Sequence, residues 1–312
     1  MQPWLTSAWQ DIVRSQAHGR PQAYCLVHPP GLSVEPLRDK LTAHLLCQSA
    51  DEKPCGHCAS CHQLALNTHP DLLSLIPEGA AGMIPVDSVR AAIETAYTTA
   101  ALGGNRVIQV RPSEALNRSS SHALLKIIEE PPQGTFFIFE TALPGKLLPT
   151  LVSRLRMLRI PPPDAETLAA FAAGAGGDAT DLTLGEVLLA EPLAAIESPE
   201  RFNLATSVLS ALHQVKSGED PQKVASQFQK KDATVVLTAF SRIVMAVLHA
   251  RMDARPVLGF EGPYPEAHWL FQVLDRVNDS RQQAQANIAV NMPLAMSVLL
   301  STWAFVWTRV PR

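Results

Sequence analysis

The sequence predicts an α/β domain built on a mainly parallel sheet, followed by a small helical domain and a larger all-α C-terminal domain. Three observations carry this reading. Short apolar runs alternate with helical patterns from residue 23 to 160. No strand-like run follows the proline stop "PPPD" at 161–164. Four of the five cysteines crowd into residues 47–61, inside the first half. A chain of 312 residues is also long for one core, so division into domains is expected. The boundaries that follow are 1–161, 162–200 and 201–312.

Taken in order, the opening "MQPWLTSAWQDIVRSQ" carries Asp11 and no apolar core with a cleavage site, so it is not read as a secretory signal. "AYCLV" (23–27) reads as a strand, and Ser33 is placed to cap a helix over "VEPLRDKLTAHLL". "DLLSLI" (71–76) is a strand, and Asp87 is expected to cap "SVRAAIETAYTTA". "RVIQV" (106–110) is a strand, "SSSHALLKIIEE" (119–130) a helix and "TFFIFE" (135–140) a strand of strong β propensity. "KLLPTLVSRL" forms a short helical turn before a last strand, "MLRI" (157–160). Such alternation favours parallel pairing, with both sheet faces covered.

Beyond the prolines, "ETLAAFAA", "LTLGEVLLA" and "EPLAAIE" form a small Ala-rich helical cluster. Longer helices follow: "RFNLATSVLSALHQV", "PQKVASQFQKK", "ATVVLTAFSRIVMAVLHARM", "EAHWLFQVLDRVNDSRQQAQANI" and "PLAMSVLLSTWAFVW". Between Arg281 and Arg309 the chain bears no charge. It contains Asn287, Asn291, Pro293, Ser297 and Ser301, and its dense apolar part is short for a bilayer span, so a buried bundle helix is expected.

The charge balance is nearly even, with 26 basic and 29 acidic residues for a formal net charge of −3. That speaks against tight stand-alone nucleic-acid binding, which needs a dense cationic face.

Cys55, Cys58 and Cys61 follow at Cys-x2-Cys-x2-Cys spacing, with Cys47 eight residues upstream. In a reducing compartment such spacing points to metal ligation. Four thiolates give the closed tetrahedral shell of a structural zinc, with no position for a reacting water. A redox pair and an iron–sulfur cluster are the alternatives. His57 and His62 are read as bystanders and Cys25 as a core residue.

A nucleotide-binding fold would place Gly-x4-Gly-Lys-Ser/Thr after the first strand. Here the stretch is "VHPPGLSVEPL". Gly31 is its only glycine, no lysine comes before Lys40, and Glu35 puts negative charge where phosphates would lie. The strand "RVIQV" should end in an acid to hold magnesium, but Arg111 and Pro112 follow it, with Ser113 and then Glu114. "SSSH" (119–122) lacks the strand–turn setting of a nucleophile and is read as a helix start. Glu129 and Glu130, adjacent on a helix, diverge by about 100° and do not share a site. At a helix C-terminus they oppose the dipole and call for a cationic partner.

"HALLKIIEEPPQGTFFIFET" (122–141), followed by "LLPTLVSRL" (147–155) and preceded by the cysteine module, "THPD" (68–71) and "VDSVR" (86–90), resembles the clamp-loader branch of the AAA+ family. The resemblance covers about residues 20–160 in motif detail. It implies an AAA+-type α/β domain with a zinc module, a small helical lid domain and a helical collar used for oligomerisation. Ser153-Arg154-Leu155 matches the family's Ser-Arg-Cys tripeptide except at Leu155, and His122 replaces the usual Asn. The absent phosphate loop points, within the family, to a stationary, non-hydrolysing subunit.

The resemblance implies that Arg154 acts in trans as an arginine finger on a neighbouring motor subunit's ATP. Without it, Arg154 would be read as pairing with Glu129 or Glu130, or as solvated. It also implies a cytoplasmic hetero-oligomer with motor subunits and the other stationary subunit, delta, and through them sliding clamp, polymerase core and primed DNA. No membrane role and no intrinsic catalytic or ATP site are expected; the chain would be a component of a DNA-directed DNA polymerase holoenzyme. Trp269, Trp303 and Trp307 are expected either at the collar interface or in the core. The competing functions are an active motor ATPase with a divergent phosphate loop and a zinc-dependent nucleic-acid-binding module.

Overall fold

Five strands make one parallel sheet in the order β2-β3-β4-β1-β5: β1 Ala23–Val27, β2 Leu72–Leu75, β3 Arg106–Val110, β4 Thr135–Thr141 and β5 Arg156–Arg159. The computed structural model describes residues 2–17, 21–50, 52–78, 82–285 and 291–310. The chain divides into two units, residues 1–167 and 168–312. The sheet belongs to the first.

Every residue of β1 and β3 is buried, and so is all of β4 except Glu140. Covered on both faces, such strands are mostly apolar and read as short runs instead of alternating ones; the buried polar exceptions, Arg106, Gln109, Thr135 and Thr141, are on β3 and β4. Register sets Ala23 against Phe137, Arg106 against Thr135 and Leu72 against Val107. The chain leaves β1 toward β2 on one side, whereas β4 connects to β5 on the other. That reversal opens a crevice at the carboxyl ends of β1 and β4, where α/β sheets bind ligands.

The helices of this unit are α1 (Thr6–Ala17), α2 (Glu35–Leu46), α3 (Ala59–Ala65), α4 (Val86–Ala96), α5 (Arg118–Glu129) and α6 (Pro149–Val152). Leu124, Ile127, Leu151 and Leu155 pack with Cys25, Ile108, Val110, Phe137 and Phe139 in one core. Cys25 is thus a core residue, and Leu155 fills core space beside the exposed end of α6. The Asn117 carboxamide caps α5 by accepting from the Ser120 amide at 2.8 Å. Two expected caps differ. Helix α4 starts at Val86 after extended Pro85, which leaves Asp87 inside the first turn, near the positive helix end. Ser33 Oγ accepts from the Glu35 amide at 3.2 Å, one residue outside the cap position held by Val34.

The "THPD" stretch is architectural. Asp71 accepts from the Ala101 and Leu102 amides at 2.8 and 3.0 Å and from Arg106 Nη2 at 3.1 Å, with 1% and 5% of the two charged side chains exposed. Burial alone would raise the Asp71 pKa; the Leu102 and Ala101 amides and Arg106 outweigh it and hold the carboxyl below its ordinary value. His69 Nδ1 accepts from the Asp71 amide, and its Nε2 lies 2.8 Å from Ser60 Oγ, which itself donates to the Leu46 carbonyl. That chain of bonds requires the neutral, Nε2-protonated ring and ties α3 to the end of α2. Asp71→Asn leaves Arg106 uncompensated except by the carbonyls of Thr95, Thr98 and Thr99. It is therefore expected to cost about 2 kcal/mol, less than a buried pair with no such support. Because the folded pKa is depressed, this stabilisation is complete above about pH 4 and is lost as pH falls through the folded value. Urea titrations at several pH values check it: below pH 4 wild type should lose stability more steeply than Asp71→Asn.

The second unit is helical among its described residues. Helix α7 (Ala165–Gly174) carries the chain across the boundary. Then come α8 (Ala179–Leu189), α9 (Ala194–Glu197), α10 (Pro199–Lys216), α11 (Pro221–Ala225), α12 (Ala233–Asp253), α13 (Ala267–Gln285) and α14 (Met292–Thr308). Leu188, Leu189 and Ala194 share one core with Phe202, Phe240, Val244, Val273 and Leu300. Among the described residues, α12 alone is long and apolar enough to cross a membrane, and 61% of its apolar window is buried inside the unit. The uncharged segment ends in α14, which buries Met296, Leu299, Leu300 and Val306; Asn287 lies outside the described residues. Trp303 is fully buried, its indole N–H donating to the Leu212 carbonyl at 3.2 Å, so it is core and not an interface anchor. Trp307 stacks on Phe260 with centroids 5.6 Å apart, and Trp269 meets Phe305 edge-on at 5.8 Å.

Candidate functional site

The four-cysteine module is assembled by the ends of two helices. Cys47 ends α2, Cys58 caps α3, Cys61 lies in its first turn and Cys55 sits in the loop between them. Gly56 takes a φ of +78° there, a left-handed turn that glycine adopts without strain. The four sulfur atoms lie within 4.8 Å of one another, with Cys47 and Cys61 buried. Zinc–sulfur bonds of about 2.3 Å set tetrahedral sulfurs roughly 3.8 Å apart, so this set needs only slight contraction to hold the ion.

Backbone amides already point at the sulfurs: Cys55 N–H at Cys47 Sγ and Cys61 N–H at Cys58 Sγ, both at 3.4 Å. Burial opposes ionisation of Cys58, but amide donors from Cys61 and Gln48 bring its pKa down to about 6. Four thiols this close cannot all ionise without a cation between them. His57 and His62 are exposed and outside the cluster; His57 Nδ1 instead contacts the Cys55 carbonyl at 2.8 Å. The donor set is all-sulfur.

The carboxyl ends of β1 and β4 carry a cluster of the chain's own charges. Arg38, on α2 and 6% exposed, binds Glu140 of β4 at 3.1 Å, Glu35 at 2.8 Å and Asp39 at 2.9 Å. The imidazole of His28 lies 3.9 Å from Glu140. Leu32 and Val34 are buried where a phosphate loop would expose backbone amides, and Glu35 stands in the first turn of α2. An approaching phosphate would meet carboxylates at a helix end that otherwise favours anions. Beyond β3, Glu114 accepts from Thr141 Oγ1 at 2.6 Å, and Ser113 Oγ donates to the Val110 carbonyl. Glu114 is thereby engaged in joining β3 to β4, and Glu140 beside it is held by Arg38. Nothing in the sequence marks Arg38 for this place, because its partner Glu140 is 102 residues away.

Arg154 lies just after α6, on the surface. Its Nε donates to Glu129 Oε1 at 2.6 Å, and Nη2 reaches the same oxygen. Its Nη1 donates to the Thr150 carbonyl at 2.6 Å and lies 3.3 Å from Ser153 Oγ. Thus Arg154 adds a second cation, with Lys126, at the end of α5 and joins Ser153 Oγ in donating to the Thr150 carbonyl of α6. It takes Glu129, not Glu130. His122 is exposed, while Ser120 is buried and donates to the Ile84 carbonyl, so the "SSSH" stretch is a helix start with no nucleophile.

The family described as "DNA polymerase III, delta subunit" matches residues 4–164. A relative from Yersinia pestis, "DNA polymerase III subunit delta'", is 28% identical over 96% of this chain and 94% of its own length. The Pseudomonas aeruginosa protein of the same name is 39% identical over 58% of this chain and 56% of that one. A solved Thermotoga maritima structure, a "dna polymerase iii, gamma subunit-related protein", is similar at a TM-score of 0.49 and 16% identity. It covers 95% of this chain and 98% of that one.

Proposed function

Because the chain belongs to the family of DNA polymerase III delta-prime subunits, of AAA+ clamp-loader type, we propose that it is the stationary, non-hydrolysing subunit of a clamp loader. In that role it helps to place a sliding clamp on primed DNA in the bacterial cytoplasm. The observation that supports this reading is the charge cluster beside β1, in which Arg38 pairs with Glu140, Glu35 and Asp39, together with the absence of a Gly-Lys-Ser/Thr stretch after that strand. A chain of this family without a phosphate cradle acts on ATP only through its neighbours.

Each part of the chain then has a job. Arg154 reaches across to the ATP of a neighbouring motor subunit, where a planar guanidinium grips a γ-phosphate in two-pronged fashion. The helices of 162–200 form a lid, and those of 201–312 a collar that joins motor and delta subunits. Cys47, Cys55, Cys58 and Cys61 hold a structural zinc that supplies a closed crosslink between α2 and α3 and offers no position to substrate.

Reconstitution tests the assignment. Motor and delta subunits with this chain are expected to load clamp on primed DNA, and omission of the chain to abolish loading. Calorimetry on the chain alone should register no ATP binding at micromolar concentrations; binding there would favour a divergent motor subunit instead. Tight, salt-sensitive binding of primed DNA by the chain alone would favour the zinc-dependent nucleic-acid module.

A further inference from the structure

The contacts of Arg154 show an arginine already in use. A guanidinium has five N–H donors. One on Nε and one on Nη2 go to Glu129 Oε1, and the two on Nη1 go to the Thr150 carbonyl and Ser153 Oγ. A phosphate gripped by two prongs needs donors from two different nitrogens, either Nε with Nη2 or Nη1 with Nη2. Each choice includes a nitrogen whose hydrogens are already engaged, so the arginine must give up an internal bond to serve a phosphate.

We propose that Glu129 is a stowing residue: it holds the Arg154 guanidinium against the chain's own surface until a neighbour's ATP draws it away. This rests on the reading that Arg154 acts in trans. The geometry suits a reversible hold. The two side chains are 33% and 47% exposed, so the pair is screened and shallow, unlike the buried Arg106–Asp71 pair. Glu129 is also the last residue of α5, where its charge opposes the helix dipole, so it favours a cation nearby without needing a buried one. A contact present before ATP arrives and absent in the transition state stabilises the ground state alone and slows the reaction.

The test is ATP hydrolysis by the reconstituted loader, with clamp and primed DNA, at limiting ATP. Glu129→Gln, which removes the charge and keeps the shape, is expected to raise kcat/KM by about two- to fivefold, the range an exposed pair supports. Glu130→Gln is expected to change nothing. In the Arg154→Ala background Glu129→Gln should have no effect, because the two residues act through one contact. A structural role for Glu129 would persist in that background. If Arg154→Ala slows hydrolysis but Glu129→Gln leaves it equal or slower, stowing is overturned and the finger stands. If Arg154→Ala changes nothing in an assembled loader, the finger itself is lost, and stowing with it. A second readout needs no variant to assemble: in the full chain alone, the Arg154 Nε–H should exchange with water several-fold more slowly than in free arginine. Equal exchange would also overturn stowing.

Discussion

Arg154→Ala, in a loader shown to remain assembled with clamp and primed DNA, is expected to lower ATP hydrolysis at least about tenfold, or about 1.4 kcal/mol of transition-state stabilisation. At the single site this chain would serve, the loss should be larger, because an arginine donated in trans is worth on the order of a thousandfold or more. The overall rate falls less if other sites turn over independently, so single-turnover measurement separates the two. Arg154→Lys should recover little, since an ammonium cannot reproduce the planar fork. Lost assembly would not explain such a result, for Arg154 is a surface residue whose internal partners are one exposed carboxylate, one carbonyl and one hydroxyl. An unchanged rate in the intact complex would reduce this subunit to a scaffold.

The largest stability effect is expected from the metal. The purified chain should carry one zinc, and removing it by a chelator, or by Cys58→Ala or Cys61→Ala, should destabilise the α/β unit by about 4 kcal/mol. That is less than the roughly 10–16 kcal/mol of a peptide that folds only on zinc, because the sheet core around Phe137 and Phe139 persists without it. For a unit of this size the shift is roughly 10 °C in Tm. Cys25→Ala, in the core and outside the cluster, should leave the zinc content at one. Elemental analysis and thermal unfolding, each before and after chelation, decide the matter. A metal-free chain with an unchanged transition would rule out the crosslink, and visible absorbance would point to iron–sulfur instead.

Much of this protein is legible in its amino-acid sequence, for local physical reasons. The central strands are buried on both faces, so "AYCLV" and the apolar centres of "RVIQV" and "TFFIFE" stand out as short β-rich runs, with Arg106 and Gln109 the buried polar exceptions. The cysteine set needs only spacing, because a knuckle is closed within a few residues and its ligands are short-range neighbours. Two helices are not legible in this way. Helix α1 (Thr6–Ala17) occupies the opening stretch, whose composition sets no helix limits. The short α3 has seven residues, too few to show a period.

Asp87 lies inside the first turn of α4 instead of capping it, because Pro85 sets the entry to that helix and no side-chain cap is made. The described end of the uncharged C-terminal run, α14, belongs to the bundle, as the length and polar residues of the run imply. Yet the most membrane-like helix is α12, whose Arg242 and Arg251 interrupt the run in sequence but not the apolar face.

What the sequence by itself determined is therefore what depends on period and spacing: the parallel α/β half, the helical half, the four-sulfur set and the absence of a Gly-x4-Gly-Lys-Ser/Thr motif after the first strand. What only the tertiary structure decided is the partner of each charge. Arg38 meets Glu140 because β4 lies beside β1 in the sheet, Asp71 meets Arg106 because β2 lies beside β3, and Arg154 meets Glu129 because α6 returns to the end of α5. The first two meetings follow from strand order over tens of residues and no local pattern encodes them; for Arg154 the sequence offered Glu129 or Glu130, and the return of the chain selected Glu129.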